Sequence, residues 1–327
     1  MSSTSVNIVL RAYDQFCPLI LGAIDTPGFD FDVRFRAPLS NEFPEGIHGG
    51  EVSFNRYVMA RANGDDRLVG LPAFVLRGFR HRNYIVRRDS PLESLSELKG
   101  KRVGSNSWSD TGTMWARAAL REAGVEVGDV QWVIGHLDDN IRMKPKTPFD
   151  VEPPHGSTLL AGGQTLMDGL RAGTVDAATT AFMPPSVYEV GGEFRRLVRD
   201  FRAAESGYHR RTGVYPAFHI MAVQRSFAET NPRAVLALYD ALIASWENWW
   251  LKLKNFGEAS PWAIEEAETM IRDFSEDTPP FGSDKPAHRT MLAAMCHEQY
   301  AQGLVGTAAD PARLFSDFEE IAKAAGR

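Results

Sequence analysis

The sequence is poor in cysteine, in net positive charge and in long apolar runs. It has two cysteines in 327 residues, Cys17 and Cys296, which are too few for a disulfide framework. Its formal net charge of −6 argues against a nucleic-acid binder, because such a protein needs a basic face. No apolar stretch approaches the roughly 20 residues that span a bilayer. We therefore expect no disulfide framework, no nucleic-acid partner and no membrane partner.

Sequence motifs for common cofactors are missing as well. There is no GxxxxGK[ST] loop and no GxGxxG fingerprint, so we expect no nucleotide cofactor. His297 and Glu298 are followed by Gln-Tyr-Ala, whereas a zinc-binding HExxH helix needs a second histidine. GxSxG and Cys–His nucleophile patterns do not occur either. The sequence thus predicts a site without a cofactor.

The N-terminal segment and the bulk composition bear on location and size. The segment MSSTSVNIVLRAYDQF has neither the basic n-region nor the apolar h-region of a signal peptide, so we expect a cytoplasmic protein. Hydrophobic residues make up 43% of the chain and charged residues 24%, as in ordinary globular proteins. A length of 327 residues favours two domains.

Residues 71–88 combine features that a plain turn does not have. Two apolar, β-prone runs flank a short cationic stretch that contains Arg77, Arg80 and His81. Arginine binds carboxylates and phosphates through a bidentate fork, and histidine exchanges protons near neutral pH. The segment therefore predicts two strands joined by residues that line an anion site. A solvated basic loop between the strands is the alternative.

Residues 101–134 are typical of a βαβ unit. Residues 101–104 predict a strand, 114–123 a helix, and 131–134 a second strand parallel to the first. The polar loop 105–113 lies where open α/β sheets bind ligands, because free N–H groups and the helix dipole point outward there.

The order of the predicted elements divides the chain into two lobes. The chain leaves the first lobe near residue 90 and returns near residue 200. We therefore predict a discontinuous lobe 1, residues 1–90 and 200–327, and a lobe 2, residues 91–199. Such lobes leave a cleft between them, which is a common place for a small ligand.

Four further segments stand out. Residues 135–163 are long, polar and proline-rich, which predicts a loop. Residues 202–211 carry a second group of charges. Residues 214–223 predict a strand that carries His219. The last set recurs at helical spacing, which favours packing or a subunit contact over a binding site, and consists of Trp246, Trp249 and Trp250.

Several of these segments together resemble one family. The pieces LPAFVLRGFRH, LKGKRVGSNSW, MWARAALREAGV, LRAGTVDA, RRTGVYPAFH and EQYAQGL follow the order of the 4,5-dihydroxyphthalate decarboxylase family. The match covers most of the chain, and its most specific parts are FRH and TGVYPAFH. The resemblance implies a two-lobed α/β fold of the type 2 periplasmic-binding-protein-like class, with a ligand cleft between the lobes.

The resemblance also implies an activity. It implies non-oxidative decarboxylation of a hydroxylated aromatic dicarboxylate such as 4,5-dihydroxyphthalate, with a protocatechuate-like product. The loop after KRVG departs from the family pattern, since Trp108, Ser109 and Asp110 stand where we expect Tyr and a Thr-Ala pair. An acidic Asp110 beside an anion site repels a second carboxylate unless it caps the helix. The departure bears on the substrate more than on the reaction class.

Decarboxylation of such an acid needs a group that binds a carboxylate and an acid that protonates the ring carbon. Arg77 or Arg80 is the candidate for binding the carboxylate. His81 or His219 is the candidate acid, an effect of about 10²–10⁴ in rate. Glu51 is the candidate for orienting a histidine or accepting a phenol proton.

The other candidates are side chains expected to contact the substrate, and they are Ser53, Trp108, Thr111, Thr113 and Arg211. Structural alternatives remain open at this point. Glu51, Thr111 and Thr113 are also ordinary helix-capping residues. His219 is also consistent with a core histidine, and Arg211 with a solvated turn.

Two alternatives concern the site and the function as a whole. A divalent metal ion bound by Glu51, His81 and His219 is the alternative to a cofactor-free site, although no local spacing supports it. A solute-binding protein of a transporter, which captures an aromatic or other small carboxylate without converting it, is the alternative function. The expected partner is the small carboxylate, with a homo-oligomer also open.

Overall fold

The computed structural model describes residues 4–34, 41–143, 150–256 and 260–327, which form two compact units. Unit 1 consists of Met1–Arg77, Ala217–Ala293 and Ala309–Arg327, and unit 2 consists of Gly78–Pro216 and Ala294–Ala308.

The observed boundaries differ from the predicted ones at residues 90 and 200. The first segment of unit 1 ends at Arg77 because the strand Leu68–Arg77 belongs to the sheet of unit 1. Arg80 and His81, which follow this strand, belong to unit 2. The return of Ala294–Ala308 to unit 2 has no counterpart in the prediction, since no sequence signal marks a boundary inside a continuous helix.

Regular structure accounts for most of the described residues. The strands are β1 (Thr4–Val9), β2 (Phe29–Arg34), β3 (Gly49–Ser53), β4 (Leu68–Arg77), β5 (Tyr84–Arg87), β6 (Arg102–Ser105), β7 (Gln131–Ile134), β8 (Thr158–Leu159), β9 (Ala177–Thr179), β10 (Phe194–Arg196) and β11 (Ala217–Gln224). The α-helices are α1 (Cys17–Ile20), α2 (Phe54–Ala62), α3 (Thr111–Glu122), α4 (Leu166–Ala172), α5 (Phe201–Thr212), α6 (Arg225–Thr230), α7 (Pro232–Phe256), α8 (Ala263–Asp273), α9 (Pro286–Ala301) and α10 (Ser316–Ala324).

Unit 1 has a five-stranded sheet in the order β2-β1-β3-β11-β4. β1 pairs in parallel with β2 and β3, whereas β11 is antiparallel to β3 and β4. The edge strand β2 alternates between half-buried and exposed residues, as its FDFDVR pattern predicts. All of β3 is buried, because it is a central strand.

The core of unit 1 lies between this sheet and its helices, and α7 provides much of it. Trp246 is buried in this core, and its ring stacks on that of Trp250 with centroids 5.4 Å apart. Trp249 and Trp250 pack against the same core while partly exposed. The prediction that the three tryptophans serve packing is confirmed.

The pairing of β4 with β11 is irregular beside His219. His219 pairs with Leu76, but the next pair, Met221 with Leu71, leaves extra residues in β4. Pro72 lies in this stretch and has no N–H to donate to β11. The N–H of Phe74 donates instead to the carbonyl of Pro280, at 2.9 Å. The ladder is therefore interrupted at the strand position that carries a candidate catalytic side chain.

Unit 2 has a six-stranded sheet in the order β10-β5-β9-β6-β7-β8. β6 pairs in parallel with both β7 and β9, which confirms the predicted βαβ unit around α3. β5 is antiparallel to β9 and to β10. A second core of aliphatic side chains lies against this sheet, with Phe194, Leu166 and Leu170 fully buried in it.

The second group of charges, residues 202–211, lies on helix α5. Asp200 caps the start of α5 by accepting a hydrogen bond from the N–H of Ala203, and Gly213 ends it with a φ of 66°. Glu205 and Tyr208 face inward, and most of the arginines face solvent. Because the outward side chains of α5 are largely charged and its buried positions are few, the sequence shows no clear helical spacing of apolar residues here.

Part of the predicted long loop, residues 144–149, lies outside the described residues. The short strand β8, from the same predicted loop, pairs in parallel with β7. No helix in the described part of the chain is long and apolar enough to cross a membrane.

Candidate active-site groups

Strand pairing in unit 1 brings Glu51, His219 and Tyr13 together. Glu51 lies in β3 and His219 in the neighbouring β11. His219 Nδ1 lies 2.5 Å from Glu51 Oε1, and the Tyr13 hydroxyl donates to the same oxygen at 2.6 Å. The N–H of Arg11, which follows β1, donates to Glu51 Oε2 at 3.1 Å. Both carboxylate oxygens are therefore held.

The Glu51 carboxyl is buried, yet it favours the ionised form. Burial alone raises its pKa, but hydrogen bonds from His219 and Tyr13 and the charge of Arg11 outweigh it, so the pKa is below the usual value. The pKa of Tyr13 is raised by burial and by the neighbouring Glu51 charge, so the phenol stays a proton donor. Glu51 thus acts as an acceptor, and the alternative that it only caps a helix does not describe its contacts.

His219 is oriented by these contacts. An ionised Glu51 accepts from Nδ1–H, which leaves Nε2 as the ring atom that can gain or lose a proton. The side chain is 11% exposed, so it is not sealed in the core. Ser53 pairs directly with His219 across the sheet and caps α2, accepting from the N–H of Arg56. Ser53 is therefore the N-cap of α2, and its predicted contact with the substrate remains a prediction.

Tyr13 was missed by sequence reasoning. It lies in the irregular segment after β1, and no motif or periodicity distinguishes it. Only the parallel pairing of β1 with β3 brings this segment beside Glu51.

Arg77 already has a carboxylate partner within unit 1. Its Nη2 lies 2.6 Å from Asp277 Oδ1, and Nη1 donates to the Asp277 carbonyl at 2.8 Å. The two side chains are only 5% and 1% exposed. His288 lies beside the pair, and burial lowers its pKa to about 4, so it is neutral at pH 7. Arg77 therefore has a structural role, which does not require the predicted substrate contact.

In unit 2, Arg80 packs against the first turn of α3. A Cβ on Gly112 would lie 2.9 Å from Arg80 Nε and 3.1 Å from the Cβ of Ala181, so glycine permits this approach. Asp110 caps the helix by accepting from the N–H of Gly112 at 2.7 Å. Burial lowers the pKa of Arg80 to about 10, although Asp110 and Glu205 act in the opposite direction. Arg80 therefore remains cationic at neutral pH.

His81 is a buried, neutral histidine. It is 5% exposed, its ring centroid lies 5.2 Å from that of Tyr208, and Nδ1 has no hydrogen-bond partner among the described residues. Burial lowers its pKa to about 4. A neutral ring is a far weaker acid than imidazolium, so His81 is poorly suited to donate a proton.

The burial of His81 predicts a specific pH dependence of stability. Because its folded-state pKa of about 4 lies below the reference 6.5, the unfolded chain binds the extra proton first, and stability falls as the pH falls through this window. His81→Asn should lose less free energy of unfolding between pH 7 and 5 than wild type does, by about 2 kcal/mol. Urea unfolding at both pH values measures this, and parallel losses in the two proteins would contradict it.

The other predicted contact residues of unit 2 are engaged within that unit. Trp108 is buried, and the Arg117 guanidinium lies 3.9 Å from its ring centroid. Thr113 Oγ1 donates to the carbonyl of the Asp110 cap at 3.0 Å. Thr111 is buried in the same turn. The N-cap of α3 is Asp110 and neither threonine, and the predicted substrate contacts of Trp108, Thr111 and Thr113 remain predictions.

Arg211 lies on the surface of unit 2. It is in the last turn of α5, 60% exposed, and its Nε donates to Glu122 Oε1 at 2.7 Å. The predicted solvated turn is a solvated helix end. Its role in substrate binding also remains a prediction.

The described residues contain no group of three or more His, Cys, Asp or Glu side chains arranged to hold a metal ion. The alternative of a metal bound by Glu51, His81 and His219 gains no support from this finding. What the structure does show is Glu51 hydrogen-bonded to His219, with neither partner part of such a group.

The fold places the chain in the periplasmic-binding-protein-like class of α/β proteins. The structure is similar to the periplasmic aliphatic sulphonate binding protein SsuA from Escherichia coli, with a TM-score of 0.53 over 95% of this chain and 91% of that one, at 16% identity. Residues 54–142 match the family described as NMT1/THI5 like. The predicted fold class is confirmed.

In sequence, the chain is similar to 4,5-dihydroxyphthalate decarboxylases over most of its length. It is 27% identical over 330 residues to the protein of that name from Comamonas testosteroni. This alignment covers 96% of this chain and 97% of the relative. It is 28% identical over 218 residues to the protein of that name from Pseudomonas putida. That alignment covers 64% of this chain and 83% of the relative. The resemblance seen in the sequence is confirmed.

Proposed function

We propose that the protein is a carboxy-lyase that removes CO₂ non-oxidatively from a hydroxylated aromatic dicarboxylate such as 4,5-dihydroxyphthalate. Similarity to decarboxylases of that name supports the reaction and the substrate class. The observation that carries the proposal is the contact of a buried, ionised Glu51 with His219 Nδ1, because it prepares His219 Nε2 to deliver a proton.

The reaction needs one proton for each CO₂ released. A hydroxyl para to the departing carboxylate supplies electron density to the ring carbon, and Nε2–H of His219 protonates that carbon. The bond to the carboxylate then breaks, CO₂ leaves, and the bonding electron pair restores the aromatic ring. The product is a dihydroxybenzoate with hydrogen where the carboxylate was.

Glu51 and Tyr13 support His219 in this scheme. Glu51 stabilises the positive charge that the imidazole carries before it gives up its proton. Tyr13 donates to the same carboxylate and so fixes the orientation of Glu51. In unit 2, Arg80 is our candidate for binding a substrate carboxylate, since its guanidinium is cationic and matches that geometry.

The test is direct incubation of the purified protein with 4,5-dihydroxyphthalate. We expect CO₂ and protocatechuate in equal amounts, with no consumption of O₂. Both products must be measured, because an oxidative loss of the carboxylate would also release CO₂.

The second candidate function is a solute-binding protein for an aromatic or other small carboxylate. The likeness to a sulphonate-binding protein favours it only at the level of the fold. Binding of several hydroxylated aromatic acids without any turnover would support this candidate and contradict the carboxy-lyase.

A further inference from the structure

In unit 2, three neighbouring strands each have a polar residue at the same edge of the sheet. Asn83 precedes β5, Thr179 ends β9 and Asn106 follows β6, and these strands are adjacent in the order β5-β9-β6. Thr179 pairs with Tyr84 on one side and with Ser105 on the other. The three polar residues are therefore close neighbours at this edge.

Each of these side chains is buried and has an oxygen without a partner. Asn83, Asn106 and Thr179 are 4%, 8% and 0% exposed. Within the described residues, Oδ1 of Asn83, Oδ1 of Asn106 and Oγ1 of Thr179 accept or donate no hydrogen bond. Because buried polar groups nearly always have a partner, these three oxygens are free to bind a group outside the chain, which is either an ordered water or a ligand.

The orientation of two of these side chains is defined by their surroundings. Asn83 Nδ2 donates to the carbonyl of Thr180 at 2.9 Å, so Oδ1 is the free end of this amide. Thr179 shares a face of the sheet with its partner Tyr84, whose hydroxyl donates to Ala116 of α3. Thr179 therefore projects toward the side of the sheet that α3 covers.

A cation lies at the same edge. The N–H of Asn83 donates to the carbonyl of Arg80 at 3.0 Å. The Arg80 side chain and Ala181, two residues after Thr179, meet at the first turn of α3, where each is about 3 Å from the position of a Gly112 Cβ. The edge thus combines hydrogen-bond acceptors with a guanidinium group and a helix N-terminus.

We propose that Asn83, Asn106 and Thr179 bind the hydroxyl groups of the substrate and set its specificity for hydroxylated aromatic acids. An amide oxygen only accepts hydrogen bonds, so its ligand must be a donor, and a phenolic hydroxyl is a donor whereas a carboxylate is not. A site built to hydrogen-bond a hydroxyl discriminates strongly against the analogue that lacks it. This inference rests on the proposed function for the identity of the ligand.

The test compares two ligands that differ only in the hydroxyls. Affinities for 4,5-dihydroxyphthalate and for phthalate are measured by calorimetry in a His219→Asn background, in which turnover during the titration should be strongly slowed. Thr179→Val and Asn106→Leu remove the oxygens with little change in volume. We expect each to weaken binding of 4,5-dihydroxyphthalate roughly tenfold and to leave phthalate binding unchanged.

The control is Thr179→Ser, which keeps the hydroxyl and should retain the affinity for both ligands. Equal changes for the two ligands, or no change, would overturn the proposal. If Thr179→Val does not fold, Asn106→Leu decides the question. Turnover of 4,5-dihydroxyphthalate by the wild-type protein is measured separately. If the variants weaken binding of 4,5-dihydroxyphthalate alone but the wild type shows no turnover, only the carboxy-lyase proposal is contradicted. If the wild type shows turnover but the variants change both affinities equally or not at all, only the hydroxyl subsite is contradicted.

Discussion

Replacing His219 with asparagine should lower kcat for 4,5-dihydroxyphthalate by about 10²–10⁴-fold, the range expected for loss of a general acid. Asparagine can still donate a hydrogen bond to Glu51, so β3 and β11 should keep their pairing, but it has no proton to transfer. The measurement is the initial rate of CO₂ release at saturating substrate, with the melting temperature of each protein recorded in parallel.

Glu51→Gln should lower kcat as well, but by less than His219→Asn does. Glutamine keeps the volume and can accept a hydrogen bond, yet it no longer stabilises a positive charge on the imidazole. A control for histidine loss as such is His297→Asn, since His297 is exposed on α9 and lies outside the Glu51 group. A His219→Asn protein with the kcat of wild type would remove His219 from the chemistry.

The same experiment separates the two histidines that the sequence left equivalent. His81 lies in the cationic stretch after Arg80, and His219 lies within a predicted strand, but neither pattern distinguishes a proton donor from a buried ring. The structure distinguishes them by their surroundings. His219 has an anionic partner, whereas burial lowers the pKa of His81 to about 4.

Local features of the fold were predictable because short-range physics determines them. The cap at Ser53 and the parallel strands around α3 follow from capping chemistry and from period-two patterns. The pairing of Glu51 with His219 was predictable only as one option among several. It depends on β11 joining β3 across 168 positions of sequence, and no local pattern specifies which strands become neighbours.

Residues that act through distant contacts gave no signal at all. Tyr13 lies in an irregular segment and Asp277 ends a three-residue 3₁₀ helix, and their roles appear only when the chain brings them to Glu51 and Arg77. Buried ion pairs are hard to predict, because one sequence carries many arginines and carboxylates and most of them stay in solvent. The sequence alone therefore leaves Arg77 and Arg80 as equal candidates for the substrate carboxylate, although the carboxylate partner of Arg77 is part of the protein.

Asp277→Asn should lower the free energy of unfolding by about 3–5 kcal/mol, because it removes the carboxylate charge that pairs with the buried Arg77 guanidinium. Neither His288 nor Lys285 can supply the negative charge that is lost with the Asp277 carboxylate. His288 is neutral, and Lys285 is itself a base whose pKa is lowered first by burial and then by the charge of Arg77. Urea unfolding of both proteins measures the difference through the midpoint and the slope.

A matched control is Asp240→Asn, because the Arg327–Asp240 pair has the same 2.6 Å separation but each side chain is 48% exposed. That variant should lose less than about 1 kcal/mol, as exposed pairs do. Replacing both buried partners, with Arg77→Met and Asp277→Leu, should recover much of the lost stability, since no unpaired charge remains. If Asp277→Asn loses no more than the exposed control, Arg77 is not held by Asp277 and returns as a candidate for substrate binding. If it loses the larger amount, Arg80 is the arginine of the cationic segment that remains for the substrate.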